Sequence, residues 1–135
     1  MTVALNTDAD QKGWLVYDIT GAASAAAAGL GSIANPEGCT LGITRAFVYF
    51  TTGSTGAANL SIGITTAAAA ATDIFTTSDV IEATVGGELH YGPTAQVAVT
   101  ESPTALWLST TFLTFTGSAS TVGLAAKLYL EYIRI

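Results

Sequence analysis

The sequence is short of charge, and the charge it has is mostly negative. Of 135 residues, 4 are Lys or Arg and 10 are Asp or Glu, giving a formal net charge of −6. Charged residues make up 10% of the chain, against roughly 25% in a typical soluble protein. The basic residues are too few and too scattered to neutralise a phosphate backbone. The sequence therefore predicts no nucleic-acid binding and no docking on an anionic membrane.

Residues for catalysis and metal binding are equally scarce. With one Cys and one His, the chain has no internal disulfide and cannot build a structural zinc site alone. Cys39, at the start of an apolar strand, is expected to be a small buried hydrophobe. The spacing of Glu88 and His90 fits a general base with an orienting carboxylate, but is more typical of two polar residues facing water. Asp8 and Asp10 resemble the opening of a calcium loop but lack its downstream Gly and Glu. We therefore expect no enzyme, no cofactor and no metal site.

Long hydrophobic runs are absent as well. No stretch reaches the roughly 18 apolar residues of a membrane span. The first ten residues lack the basic start and apolar run of a secretory signal. Ala and Thr are abundant instead and make up about a third of the chain. A surface of Thr, Ser, Gly and Ala lacks the like-charge repulsion that keeps monomers apart, so the composition favours association.

Alternating and apolar stretches predict strands along most of the chain. After a polar N-terminal arm, residues 1–12, these strands cover 14–20, 39–52, 58–65, 80–85, 88–91, 95–100 and 105–116. We interpret 43–66 as a hairpin, and we expect a bulge or bend between Phe112 and Leu113, where the apolar face switches. Residues 22–28 fit a helical turn or a surface loop equally well. A further helical turn is predicted near Ser78.

The sequence stops inside an apparent strand. One face of this strand is apolar and carries Leu124, Ala126, Leu128, Leu130 and Tyr132. The other face carries Lys127, Tyr129 and Glu131. Such a strand completes a sheet or meets a neighbouring subunit. Seven or eight strands with irregularly spaced turns predict one all-β domain over 13–135, a jelly-roll-like β-sandwich with an extended N-terminal arm.

Aromatic residues near the two ends of the chain are the candidate interface. The first and last strands of a sandwich often lie close together, and Trp and Tyr dominate interface hot spots. The alternative for each residue is core packing. Tyr129 alternates with charged residues and is expected outside, whereas Trp107 lies between two leucines and is expected in the core. The predicted interface residues are Trp14, Tyr17, Tyr129, Tyr132, Ile133 and Ile135.

Two stretches resemble small structural proteins of tailed bacteriophages. Residues 46–64 read Ala-Phe-Val-Tyr-Phe-Thr-Thr-Gly-Ser-Thr-Gly-Ala-Ala-Asn-Leu-Ser-Ile-Gly-Ile. They are similar to the aromatic strand, the Thr/Ser/Gly turn and the following apolar strand of those proteins. Residues 123–135 are similar to their terminal strand, and residues 67–104 show no clear match.

The resemblance implies a non-enzymatic virion component, a decoration (cement) protein that binds the outer head surface and bridges capsomers. It implies the major capsid protein as partner, a homo-oligomer with a trimer favoured, and a place on the capsid surface after assembly in the host cytoplasm. The arm would then reach an adjacent subunit. The alternatives are a head-fibre or tail component, and a carbohydrate-binding sandwich using Tyr91 with Gln96, or Trp107.

Overall fold

The period-two patterns of the sequence fold into eight strands in the computed structural model, which describes residues 11–79 and 106–135. No α-helix occurs in these two ranges, and therefore none that could cross a membrane. The strands are β1 (Lys12–Thr20), β2 (Gly31–Ala34), β3 (Leu41–Thr52), β4 (Asn59–Thr65), β5 (Phe75–Asp79), β6 (Leu106–Trp107), β7 (Phe112–Gly117) and β8 (Ala125–Arg134).

The strands form two four-stranded antiparallel sheets, in the orders β1-β8-β3-β6 and β2-β7-β4-β5. Consecutive strands lie in different sheets except for β4 and β5, and the two orders are those of an eight-stranded jelly roll. The predicted all-β, jelly-roll-like sandwich is therefore confirmed. β1 begins at Lys12, so the last residue of the predicted arm belongs to the sheet.

Between the sheets lies one hydrophobic core, built from the inward-facing residues of both. Burying each large apolar side chain contributes roughly 1.5–3 kcal/mol. Trp107 is fully buried, as predicted, and Cys39 is partly buried against the core. The largest fully buried side chains are Trp107, Phe50, Phe115, Ile19, Leu41, Leu60, Ile62, Ile74, Leu113, Leu124, Leu128 and Leu130.

The terminal strand lies near the middle of its sheet. β8 pairs with β1 on one side and with β3 on the other. Its even-numbered residues from Ala126 to Tyr132 are buried, and the odd-numbered ones between them are partly exposed. The predicted alternation is confirmed, and β8 completes a sheet of its own domain.

The predicted hairpin over 43–66 is wrong, although both of its strands exist. β3 pairs with β8 and β6, whereas β4 pairs with β7 and β5 in the other sheet. Their connection crosses from one sheet to the other, with Ser54 buried and the Thr55 N–H donating to the Val122 carbonyl at 2.9 Å. Both strands face the core from opposite sides, and a tight turn cannot span that separation.

The predicted long strand over 105–116 is two strands in different sheets. β6 ends at Trp107, and a turn follows in which the Thr111 N–H donates to the Leu108 carbonyl at 3.1 Å. β7 then starts at Phe112 in the other sheet. The bulge or bend predicted between Phe112 and Leu113 is wrong, because β7 pairs with β4 across these residues without a shift in register.

The remaining predictions concern short segments of the chain. Residues 22–28 form a loop with turns, and Ser78 lies in β5 instead of a helical turn. β2 was not predicted, because its four residues contain a single large apolar side chain, Ile33. The strands predicted at 80–85, 88–91 and 95–100 lie outside the described residues, as do Asp8, Asp10, Glu88, His90, Tyr91 and Gln96.

Candidate interaction surface

A row of apolar side chains crosses the outer face of the sheet β1-β8-β3-β6. In an antiparallel pair, residues directly opposite each other share a face. The register places Val16 of β1 opposite Tyr129 of β8, and Tyr129 opposite Phe47 of β3. The rings of Phe47 and Tyr129 stack with their centroids 4.7 Å apart and an interplanar angle of 13°. Three strands thus contribute to one continuous apolar row.

Aromatic residues lie on either side of this row. Trp14 precedes Val16 by one outward position on β1, and the two residues are 52% and 55% exposed. Tyr49 follows Phe47 by one outward position on β3 and is partly exposed. Exposed aromatic surface of this kind marks binding sites more often than isolated exposed residues do.

A second group of apolar side chains lies at the end of the sheet, over Gly42. A Cβ atom on Gly42 would lie 3.1 Å from Ile135 Cδ1 and 3.3 Å from Ile133 Cγ1, so both isoleucines lie over the backbone of β3. Ile135 is held there by its N–H, which donates to the Thr40 carbonyl at 2.9 Å. Leu106 of β6 lies opposite Gly42 and is also exposed. We call this surface the outer aromatic face; it comprises Trp14, Val16, Phe47, Tyr49, Leu106, Tyr129, Ile133 and Ile135.

Charged residues lie among and beside the apolar ones. Glu131 lies between Trp14 and Arg45 in the cross-strand register and accepts a hydrogen bond from Thr44 Oγ1 at 2.7 Å. Lys127 donates to Asp18, and this hydrogen bond raises the pKa of the Lys127 ammonium. This mixture of aromatic, apolar and charged side chains resembles the composition of protein–protein interfaces, which are enriched in aromatic residues without being more apolar than the rest of the surface.

The structure divides the six predicted interface residues between the two faces of the sheet. Tyr17 and Tyr132 point inward: Tyr17 stacks on Phe115 with the ring centroids 4.7 Å apart, and Tyr132 is buried. The other four, Trp14, Tyr129, Ile133 and Ile135, lie on the outer aromatic face. The six residues therefore do not form one patch, and contact with a partner stays a prediction for those outside.

Tyr132 belongs to a polar cluster at one end of the sheet. Its hydroxyl donates to Glu37 Oε1 at 2.5 Å, and Arg134 Nη2 donates to the same oxygen at 2.7 Å. The hydrogen bond from Arg134, and then that from Tyr132, lowers the pKa of Glu37. Burial, followed by the hydrogen bond to Glu37, raises the pKa of Tyr132. The cluster ties the turn between β2 and β3 to β8 and has the character of a structural anchor.

Four residues of the outer aromatic face were missed from sequence: Val16, Phe47, Tyr49 and Leu106. The apolar character of both faces of β3 was visible, but it does not say which face meets the core. The strand pairing provides that information. Within residues 11–79 and 106–135, no group of three or more His, Cys, Asp or Glu residues could hold a metal ion.

Comparison with known proteins gives one structural likeness. No family model matches the sequence, and no curated protein matches it. A chain from the solved capsid of Ralstonia phage GP4 matches 100% of this chain and 92% of its own length, with a TM-score of 0.56 and 14% sequence identity. At this identity, the likeness shows that the two chains share a fold.

Proposed function

We propose that this chain is a structural component of a phage virion, and specifically a decoration (cement) protein of the head. The observation that carries the proposal is the fold match over the whole chain to a protein of a phage capsid. The resemblance of residues 46–64 and 123–135 to structural proteins of tailed phages supports the same role. No enzymatic activity is part of this role.

The outer aromatic face is the surface that we propose for binding the shell, with the major capsid protein as partner. Trp14 and Val16 are each more than half exposed, and burying such side chains at a contact is favourable. A decoration protein bridges neighbouring capsomers and so needs broad contact surfaces. This broad, partly apolar face fits that requirement, and the capsid surface is the location that follows from it.

Binding to purified shells tests the surface. Shells lacking the protein would be mixed with the wild-type chain, Trp14→Ser or Val122→Ser, and the bound fraction measured by sedimentation. Val122 is a matched control, because it is 46% exposed but lies in the turn before β8. We expect Trp14→Ser to weaken binding at least tenfold, since aromatic anchors at an interface often contribute about 2 kcal/mol or more. Equal binding of both variants would exclude this face.

A head-fibre or tail component is the alternative within the same class of particle, and copy number separates the two. Quantitative mass spectrometry of purified particles should find hundreds of copies of a decoration protein. A handful of copies would favour a fibre or the tail, and absence would contradict a virion role. For a carbohydrate-binding sandwich, Trp107 is not a candidate, because it is fully buried.

A further inference from the structure

The first strand is an edge of its sheet. Among the described residues, β1 has β8 on one side and no strand on the other. It is nine residues long, from Lys12 to Thr20. An edge strand presents unpaired N–H and C=O groups that can pair with another strand. A nine-residue edge with exposed apolar side chains can therefore accept a further strand.

The backbone groups that face outward can be identified from the ladder. The Gly21 N–H donates to the Leu124 carbonyl at 2.8 Å, which continues the register between β1 and β8. Because hydrogen-bonded and non-hydrogen-bonded pairs alternate in an antiparallel ladder, the odd-numbered residues of β1 direct their N–H and C=O groups toward β8. The even-numbered residues direct theirs toward the open edge.

The same even-numbered residues carry the side chains of the outer face, and their order is self-complementary. If a second β1 runs antiparallel to the first about a twofold axis at Leu15, Lys12 lies opposite Asp18 of the second copy. Trp14 then lies opposite Val16 of the second copy. Each charge meets the opposite charge, and each apolar side chain meets an apolar one. We propose that β1 is a docking edge for a second copy of this chain, in this register.

Neighbouring registers lack this match. A shift of two residues in one direction places Lys12 opposite Val16 and Trp14 opposite its own copy. A shift of two in the other direction places Trp14 opposite Asp18. A shift of one brings even-numbered residues opposite odd-numbered ones, whose side chains belong to the core face and whose backbone groups bind β8. Only the Leu15-centred register pairs both charges with opposite charges and both apolar side chains with apolar ones, and such cross-strand pairs are stabilising.

This pairing goes beyond the proposed function, because it needs no shell. It joins the two sheets into one continuous sheet and brings the outer aromatic faces of both copies side by side. The contact is isologous and gives a dimer, not the trimer that the family resemblance implies. Asp18 is 74% exposed beside Lys127, so it can accept Lys12 of the second copy without leaving its own partner.

Mass measurement over a concentration series tests the pairing. Sedimentation equilibrium would be run at protein concentrations up to about 1 mM. Physiological ionic strength is used because it screens the repulsion between two chains of charge −6 beyond about 8 Å. We expect the mass to rise from 13.7 kDa toward twice that value. A monomer at every concentration, or a mass approaching three chains, overturns the proposal.

Val16→Pro separates the edge from the rest of the sheet. Proline removes an N–H that points to the open edge, and edge strands tolerate it. We expect this variant to melt cooperatively near the wild-type temperature and to remain a monomer. A folded Val16→Pro protein that still dimerises overturns the proposal.

Charge exchange tests the register and does not depend on the folding of the proline variant. Lys12→Asp places two carboxylates opposite each other in each of the two symmetric pairs, and we expect about a tenfold weaker dimer. Lys12→Asp combined with Asp18→Lys restores opposite charges, and we expect it to recover most of the lost affinity. A double variant that dimerises no better than Lys12→Asp overturns this register.

One outcome would redirect the edge to another partner. If the wild-type chain is monomeric throughout, and Val16→Pro abolishes shell binding while Val16→Ser, which keeps the N–H, does not, the edge receives a strand of the shell protein. That result overturns pairing with a second copy and leaves the proposed function intact. Conversely, a protein that dimerises with these variant responses but is absent from virions would support the pairing and contradict the proposed function.

Discussion

The outer faces of the two sheets differ in what covers them. The face of β1-β8-β3-β6 carries exposed aromatic and aliphatic side chains, and Trp14 and Val16 are exposed upon it. The face of β2-β7-β4-β5 carries small and polar residues at its centre. There Gly63 is buried, and a Cβ atom on it would lie 2.5 Å from Ala71 Cβ and 2.6 Å from the Thr72 nitrogen.

The chain covers the second face with its own connection between β4 and β5. The Asp73 carboxylate accepts a hydrogen bond from the Ile64 N–H at 3.0 Å, and the Ile74 N–H donates to the Ile62 carbonyl at 3.0 Å. Beneath this segment, Thr114 is fully buried and donates to the Gly63 carbonyl at 3.3 Å. The centre of the small, polar face is thus covered by the chain itself, while Trp14, Val16 and Leu106 remain exposed on the apolar face among the described residues. This difference points to the first sheet as the one that meets a partner.

The largest effect is expected from deleting residues 130–135, which removes part of the strand that holds the first sheet together. Leu130 and Tyr132 are buried between the sheets, and losing each costs roughly 1.5–3 kcal/mol. We expect the truncated chain to unfold or aggregate, as seen by circular dichroism and light scattering. Deleting Ile135 alone, which is exposed, is the control and should leave a cooperative melt. A truncated chain that melts cooperatively would show that these residues serve assembly instead.

A matched pair of glycine substitutions compares the two outer faces directly. Gly63→Ala forces the backbone near Ala71 to move and should cost about 1–3 kcal/mol of unfolding free energy. Gly42→Ala meets only the side-chain atoms of Ile133 and Ile135, at 3.1 Å or more, and should cost less than about 1 kcal/mol. Urea denaturation measures both. Equal costs would mean that the covered and open faces do not differ in packing.

A smaller, pH-dependent effect on stability is expected at Glu37, in the turn between β2 and β3. The pKa of Glu37 is lowered by Arg134 and Tyr132, so ionised Glu37 stabilises the fold above its unfolded pKa near 4.5. This contribution is lost as the pH falls through the lower, folded-state pKa. Glu37→Gln should therefore melt below wild type at pH 7, and the two curves should converge in acid. A difference that persists unchanged at pH 2 would contradict an origin in the charge.

The smallest stability effect is expected on the open face itself. Trp14→Ser should change the unfolding free energy by no more than about 0.5 kcal/mol, as at other exposed sites, although we expect it to weaken shell binding. Thermal melts of the wild type and the variant provide the measurement. A loss of 2 kcal/mol or more would mean that Trp14 supports the fold, and the contrast between an open and a closed face would fail.

The sequence predicted the strands with strong local alternation and failed where pairing is non-local. β4 and β8 were found because the alternation of their side chains shows in neighbouring residues, and β1 and β3 because they are runs of apolar and aromatic residues. Which strands pair is decided by contacts between distant segments, so the hairpin over 43–66 and the single strand over 105–116 were wrong. β2 was missed because four residues give too short a pattern.

For the candidate surface, too, local patterns were predicted correctly and features that depend on strand pairing were missed. Trp14 and Tyr129 were placed together because the first and last strands pair, as expected. Tyr132 shares the alternation of buried Leu128 and Leu130, so its inward position was predictable from the sequence. Phe47 was not, because both faces of β3 are apolar and only the completed sheet shows which side is outside.

The pairing of Lys12 with Ile133 has a mechanical consequence. The start of β1 and the end of β8 are neighbours in one antiparallel ladder, so a pull applied between them opens that ladder like a zipper. Its hydrogen-bonded pairs are loaded one after another and do not share the force. A domain of this build resists tension poorly between those two points and far better where load spreads over a whole sheet. In the proposed role, the domain would therefore bear the load of an expanding shell through its broad face and not through its strand ends.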